Sequence, residues 1–294
     1  MKSLVFQSFK GVVRLLGGNG LGLARIPGLQ ALHNWFYQRL RPSGIIVLDV
    51  HGSKMFFDTD LRTPLHSLVT AGTYEALETK AFQSLLRPGM VVADIGANIG
   101  YYSLLASRAV GDTGLVFAFE PDPRNYELLR RSIQANGYTN IVARQLALSD
   151  KKGSITLYAD ALNAGNSSLG RENIQRELRS FEVETETLDD FILREAGGRK
   201  IDVIKMDVQG AEGLVLRGAG QVLNSDSLIV MIEFEPEKLK TLRTEPAALL
   251  HELLALGFRA RIMDSDRGRI EDATVEEILA AATSAGYVNL LLNK

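Results

Sequence analysis

The sequence predicts an α/β fold: a mostly parallel sheet of seven strands, the last of them antiparallel, covered by helices on both faces. Three observations carry this expectation. First, apolar runs at 90–95, 115–120, 141–146, 201–207 and 228–234 alternate with helical patterns at about 100–109, 123–136, 210–217 and 246–256. Second, these runs are apolar nearly throughout rather than at every second position, as in strands buried on both faces. Third, the run Val91-Val92-Ala93 ends in Asp94, crosses a turn bearing Gly96 and Gly100, and enters a helical pattern at Tyr101-Tyr102-Ser103. A strand that passes through a glycine turn into a helix start is a site for a nucleotide-type ligand.

The remaining elements follow in order. Val5, Phe9, Val12, Val13 and Leu16 recur at helical spacing, as do Leu29, Leu32, Trp35, Phe36 and Leu40. Gly17-Gly18-Asn19-Gly20, Gly22 and Pro27 separate the two patterns, and Arg41-Pro42-Ser43-Gly44 closes this unit. Residues 1–44 therefore read as a helical extension and 45–89 as a lead-in to a domain over 90–294. Ile45 to Val50 and Lys54 to Phe57 flank His51-Gly52-Ser53 as a hairpin. Pro64 to Leu86 reads mainly as helix, stopped by Arg87-Pro88-Gly89. Ser154 to Tyr158 and Phe181 to Thr187 read as extra strands inserted between the third and fourth core strands. Phe258 to Met263 and Tyr287 to Leu292 complete the count of seven.

Composition narrows the function. The chain has 294 residues, 46% of them hydrophobic, and a net charge of −2, so no global field draws nucleic acid. It contains no cysteine, which excludes disulfides and thiolate metal sites and is compatible with a reducing cytoplasm. No uncharged apolar run approaches the roughly 18 residues of a membrane span. The charge is uneven, because Lys2, Lys10, Arg14, Arg25, Arg39 and Arg41 precede Asp49 with no acid among them. A basic amphipathic extension of this kind either lies in a membrane interface or packs on the catalytic domain or on a second copy of the chain. The expected location is the cytoplasm, peripheral at the inner face of the plasma membrane if residues 1–44 meet lipid. Lys10 and Arg14 interrupt the apolar stretch, and no small-residue cleavage site follows, so the segment does not read as a signal peptide.

The glycine spacing indicates which ligand the turn takes. A dinucleotide fingerprint places a middle glycine where the backbone presses against a pyrophosphate. Here Asn98 stands at that place, between Gly96-Ala97 and Gly100. Asp94 adds a negative charge, which a phosphate avoids and an ammonium welcomes. The second apolar run ends in Glu120, whose carboxylate accepts two ribose hydroxyls side by side. A ribose, a cationic amino-acid end and no phosphate describe S-adenosylmethionine. Pro121 fixes the backbone after the strand. Asp122 and Asn125 lie beside the adenosine, although Asp122 reads equally as a helix cap. Leu146 and Ala147 end the third strand, where the adenine belongs. Free N–H groups at Tyr101, Tyr102 and Ser103 face the ligand carboxylate.

Several separated motifs then resemble one family. They are Asp94-Ile95-Gly96-Ala97-Asn98-Ile99-Gly100-Tyr101-Tyr102-Ser103, Phe119-Glu120-Pro121-Asp122-Pro123, Ala147-Leu148-Ser149-Asp150, Thr187-Leu188-Asp189-Asp190, Ile204-Lys205-Met206-Asp207-Val208-Gln209-Gly210-Ala211-Glu212 and Glu233-Phe234-Glu235-Pro236. In this order, over roughly residues 66–236, they resemble the FkbM family of S-adenosylmethionine-dependent methyltransferases. The resemblance implies a Rossmann-like class I methyltransferase sheet, a ribose-binding acid after the second strand, and O-methylation of sugars, glycans, glycolipids or polyketides.

Asp207 and Glu233 end the fourth and fifth core strands and are the catalytic candidates. Methyl transfer to a hydroxyl needs alignment and removal of a proton, which either carboxylate can provide. Asp207 also borders the cofactor. Alternatively Asp207 and Glu233 could hold a divalent cation such as magnesium that lowers the hydroxyl pKa, but two acids alone do not define a site, so a metal is possible and not expected. Glu212 reads as a first-turn helix acid. The loop Asn163 to Leu169 offers polar side chains to an acceptor, and Tyr74 and Glu75 to the rim of the pocket. Two other functions compete: a nicotinamide-dependent oxidoreductase, disfavoured by Asn98, and a non-catalytic ligand-binding subunit of a glycan-assembly complex, disfavoured by Asp207 and Glu233.

Overall fold

The computed structural model describes residues 43–60, 65, 67–68, 72, 74–160, 163, 165, 167–174 and 178–294, the side chain of Leu178 excepted. The amphipathic patterns expected before residue 42 lie outside the described residues, as do Pro64 and His66. The described residues open with a hairpin, β1 (Ile45–Val50) and β2 (Ser53–Asp58), joined through the left-handed pair His51 and Gly52. Next come α1 (Ala76–Leu85), β3 (Val91–Ile95), α2 (Tyr101–Val110), β4 (Leu115–Phe119), α3 (Pro123–Asn136) and β5 (Ile141–Arg144). The strands β6 (Ala147–Leu148), β7 (Gly153–Asp160), β8 (Ser167–Ser168) and β9 (Leu178–Glu186) follow. The chain continues with α4 (Leu188–Glu195), β10 (Val203–Met206), α5 (Glu212–Arg217), α6 (Gly220–Leu223), β11 (Ile229–Phe234), α7 (Pro236–Thr241) and α8 (Pro246–Ala255). It closes with β12 (Arg259–Asp264), β13 (Arg269–Asp272), α9 (Val275–Ala285) and β14 (Val288–Asn293).

The main sheet has eight strands in the order β13-β12-β14-β11-β10-β3-β4-β5. Strands β5, β4, β3, β10 and β11 are parallel, and β14 inserts antiparallel between β11 and β12. The seven expected strands are all present. The eighth, β13, carries the polar sequence RIED on an exposed edge, so it has no apolar run to reveal it; pairing with β12 holds it in place. The third expected strand, 141–146, stops at Arg144, and Ala147–Leu148 turns into a second sheet of order β6-β9-β7-β8. Of the long helix expected before the first core strand, the described residues show Ser67 and Leu68 as helical and then α1, entered through Glu75 at φ 42°.

Period two sends alternate residues of the central strands to opposite faces. Val91, Ala93 and Ile95 of β3 join Ile204 and Met206 of β10 and Val230, Ile232 and Phe234 of β11 in one core. Val92, Val203 and Met231 join the other, under α1, α2 and α3. Asp94, Lys205 and Glu233 fall on this second face. The register pairs Asp94 with Lys205 and Met206 with Ile232, so Asp207 and Glu233 leave the sheet as neighbours.

Strand order reverses direction between β3 and its neighbours β4 and β10, and ligands of open parallel sheets bind outside the carboxyl ends at that switch point. Phe191 of α4 is fully buried and packs edge-on against Phe117 and Phe119, at centroid distances of 5.4 and 4.8 Å. Phe119 immediately precedes Glu120, so this cluster sets the height of that carboxylate. Replacing Phe191 by Ala should cost about 3–5 kcal/mol of unfolding free energy in urea titrations. A loss below about 1 kcal/mol would show that the cluster is not a packing anchor.

Candidate active site

The turn after β3 is fastened to the end of β4. The N–H groups of Gly96 and Ala97 both donate to the Phe119 carbonyl, at 3.0 and 2.9 Å. Gly96 has φ 79°, and a Cβ there would lie 1.9 Å from the Asp207 carbonyl oxygen. Only glycine lets the β3 turn and the end of β10 come this close. Asn98 also has a left-handed backbone, and its side-chain Oδ1 accepts from the Ile99 N–H at 2.8 Å. Asn98 thus serves the turn, while its own N–H donates to Glu120 Oε2 at 2.7 Å. Gly100, φ 98°, sits against Leu129 and starts α2.

Glu120 is 4% exposed. Its second oxygen accepts from the Asp122 N–H at 2.9 Å. Burial pushes its pKa up to about 8, against the opposing pull of those N–H donors and of Asn125. Glu120, Pro121, Asn125, Leu146, Ala147, Leu148 and Leu157 line an open cleft. Gly96, Asn98, Asp207, Val208, Gln209, Gly165, Ser167 and Leu169 also line it. A buried carboxylate, an apolar wall and a glycine cradle are of the chemistry that an adenosine group needs.

Other expected cofactor residues do not line the cleft. Asp94 is 2% exposed and accepts from both the hydroxyl of Ser103, at 2.5 Å, and the Ser103 backbone N–H. It caps the start of α2, and burial raises its pKa to about 6. The Tyr101 hydroxyl lies 3.0 Å from Thr79 Oγ1, and the Tyr102 hydroxyl donates to Glu75 at 2.6 Å. Both tyrosines are buried between α1 and α2. Asp122 caps α3 through the Arg124 N–H and pairs with Arg179 of β9 at 2.8 Å, which ties the small sheet to the cofactor edge.

Asp207 and Glu233 are brought together by Gln209. The Gln209 amide nitrogen donates to Asp207 Oδ1 at 2.7 Å and to Glu233 Oε1 at 3.1 Å. Its carbonyl oxygen accepts from Lys238 Nζ at 2.5 Å, and Lys238 also pairs with Glu235 at 2.6 Å. The Gln209 backbone, φ 52°, is held by Ser168 and Asn173 from the inserted segment. Glu212 braces the same turn by accepting from the Val208 and Gly210 N–H groups, and burial raises its pKa to about 7. Burial and the adjacent Asp207 charge hold Glu233 well above the usual carboxylate range, with Lys205 and Lys238 opposing.

Lys205 is 4% exposed beneath this pair, its ammonium 5.1 Å from the Tyr102 ring centroid. Burial disfavours its charge, but Asp207, Glu75, Glu233 and Asp94 outweigh burial and the net direction is upward. Sequence reasoning assigned no role to Lys205, Gln209 or Arg179. The signal for Lys205 was present: a lysine inside an apolar buried strand, two residues before an acid, shares that acid's face. Among the described residues, no group of three or more histidine, aspartate or glutamate side chains is arranged to hold a metal ion. None of the described helices is long and apolar enough to cross a membrane.

A parallel sheet with an antiparallel strand beside its fifth member, and this cleft at its switch point, is the fold of class I methyltransferases. The methyltransferase FkbM domain family matches residues 94–260, more than half of the chain, and the chain belongs to that family of S-adenosylmethionine-dependent methyltransferases. It is 34% identical over 164 residues to the 31-O-demethyl-FK506 methyltransferase FkbM of Streptomyces tacrolimicus, covering 45% of this chain and 60% of that one. It is 30% identical over 160 residues to the 2-O-methyltransferase NoeI of Sinorhizobium fredii, covering 49% and 63%. Similarity to the hexuronic acid methyltransferase AglP of Haloferax volcanii is 29% over 143 residues, covering 48% and 54%. The chain thus spans little more than half the length of these relatives.

Two outcomes follow. Gly96→Ala combines a left-handed alanine with a clash against the Asp207 carbonyl, and should cost about 2–5 kcal/mol in denaturant titrations. Unaltered stability would mean that β3 and β10 do not meet at that turn. Glu120 has its folded pKa raised from 4.5 to about 8, so its stabilising contribution is complete below 4.5 and is lost as pH rises through 8. Urea midpoints of the ligand-free protein should therefore fall across that window, and less steeply in Glu120→Gln. Parallel pH profiles for the two proteins would contradict the burial of this group.

Proposed function

We propose that this protein is an O-methyltransferase that methylates a hydroxyl of a sugar, glycan or glycolipid. The observation that carries the reading is the Asp207–Gln209–Glu233 clamp opening on the cleft that holds Glu120. Glu120 binds the ribose hydroxyls, and Leu146, Ala147 and Leu148 wall the adenine. When bound, S-adenosylmethionine supplies an electrophilic methyl on a positively charged sulfur. The chain's own part is alignment and proton removal. Asp207 lines the cleft and accepts the acceptor's O–H as a hydrogen bond. The carboxylate pair then takes that proton, Asp207 on the cleft and Glu233 joined to it through Gln209. Lys205 supplies a buried positive charge that keeps the cluster of acids tolerable.

The relatives support the acceptor class. AglP is a hexuronic acid methyltransferase and NoeI a 2-O-methyltransferase by name, and each is similar to about half of this chain.

Calorimetry should show S-adenosylmethionine binding at micromolar Kd, weakened at least tenfold in Glu120→Ala. Asp207→Asn should bind the cofactor while losing about 100-fold or more in turnover of a sugar acceptor. Unchanged cofactor affinity in the Glu120 variant would remove the ribose assignment. Full turnover in Asp207→Asn would remove the proton-acceptor assignment.

A further inference from the structure

Tyr287 is 47% exposed, and among the described residues it is the only aromatic so exposed. It stands at the carboxyl edge of the sheet, between the end of α9 and the start of β14. Gly286, φ 90°, ends α9 and has open space where a Cβ would point, so no side chain crowds the ring from that position. The backbone that follows is fixed. Val288 pairs with Phe234 and Asn289 with Glu233, and the Asn289 side chain donates to the buried Glu78 at 3.0 Å. Ser265 donates to the same Glu78 oxygen at 2.5 Å. With a period of two along the strand, Tyr287 takes the same face as Asn289 and its partner Glu233. An exposed ring is therefore held at a strand start on the face of Glu233, which leaves the sheet next to Asp207.

Resting on the sugar-hydroxyl reading above, we propose that Tyr287 is the platform on which the acceptor ring stacks, and that this acceptor is an uncharged sugar. A sugar ring has apolar C–H faces and polar hydroxyl edges. The negative face of an aromatic ring attracts the C–H hydrogens, while neighbouring carboxylates accept from the hydroxyls. The same carboxylates repel a uronate. Among the described residues, the two lysines that bear on Glu233 are committed, Lys205 beneath the sheet edge and Lys238 to Gln209 and Glu235. This sets the chain apart from the hexuronic acid methyltransferase it partly resembles.

The test uses the full chain with methyl glycosides of neutral hexoses and of hexuronic acids. Binding is measured by calorimetry and saturation-transfer NMR with S-adenosylhomocysteine present, and turnover with labelled S-adenosylmethionine. Tyr287→Ala should weaken neutral-glycoside binding and raise KM about tenfold, with Tyr287→Phe close to wild type. Cofactor affinity should be unchanged in both variants, which also reports on folding. Uronate glycosides should bind at least tenfold more weakly than neutral ones. Neutral glycosides bound through Tyr287 but never methylated would uphold the platform and remove the methyl-transfer reading. Sugar methylation indifferent to Tyr287→Ala would overturn the platform and leave that reading intact. A preference for uronates, or no glycoside binding at all, would overturn the proposal.

Discussion

The site depends on how closely the turn after β3 approaches the end of β10. That approach exists because Gly96 has no side chain: a Cβ would lie 1.9 Å from the Asp207 carbonyl. The same turn is bonded to the Phe119 carbonyl on its other side. One tight corner therefore locks three strand ends into a single edge. Glu120, the Gly96 cradle and Asp207 share one cleft because of it. The aromatic cluster around Phe191 sets the level of β4 behind the corner, and the Arg179–Asp122 pair draws the small sheet over it.

Electrostatics build on that geometry. Four carboxylates gather around the buried Lys205, and desolvation would make such a cluster costly without its internal counter-charge. Gln209 adds a neutral donor that satisfies Asp207 and Glu233 together, where a second cation would neutralise them. The result is a pair of half-buried acids that keeps its hydrogen bonds. The inserted segment, through Ser168 and Asn173, holds the backbone of Gln209, so the small sheet supports the same pair from outside.

Much of this was legible in the sequence, for identifiable reasons. Strands buried on both faces show as apolar runs, and the acids at or next to the ends of the second, fourth and fifth runs mark the carboxyl edge, so Glu120, Asp207 and Glu233 could be singled out. Residues next to a motif were harder to place. Tyr101, Tyr102 and Ser103 open α2, but helix rotation turns their side chains toward Thr79, Glu75 and Asp94 rather than the cleft. Asp122 had two readings, and its hydrogen bond to Arg124 realises the cap. Gln209 and Arg179 act across elements far apart in the chain, which no local pattern encodes. The edge strand β13 has a single apolar residue and is defined by its partner β12.

The central claim is that one corner joins a ribose-binding acid to a proton-accepting pair. A crystal structure of the protein with S-adenosylhomocysteine tests it most directly. The account predicts ribose hydroxyls on Glu120, adenine against Leu146 to Leu148, and the sulfur turned toward Asp207 and Gln209. Ligand density away from Glu120, or a sulfur facing away from Asp207, would contradict it.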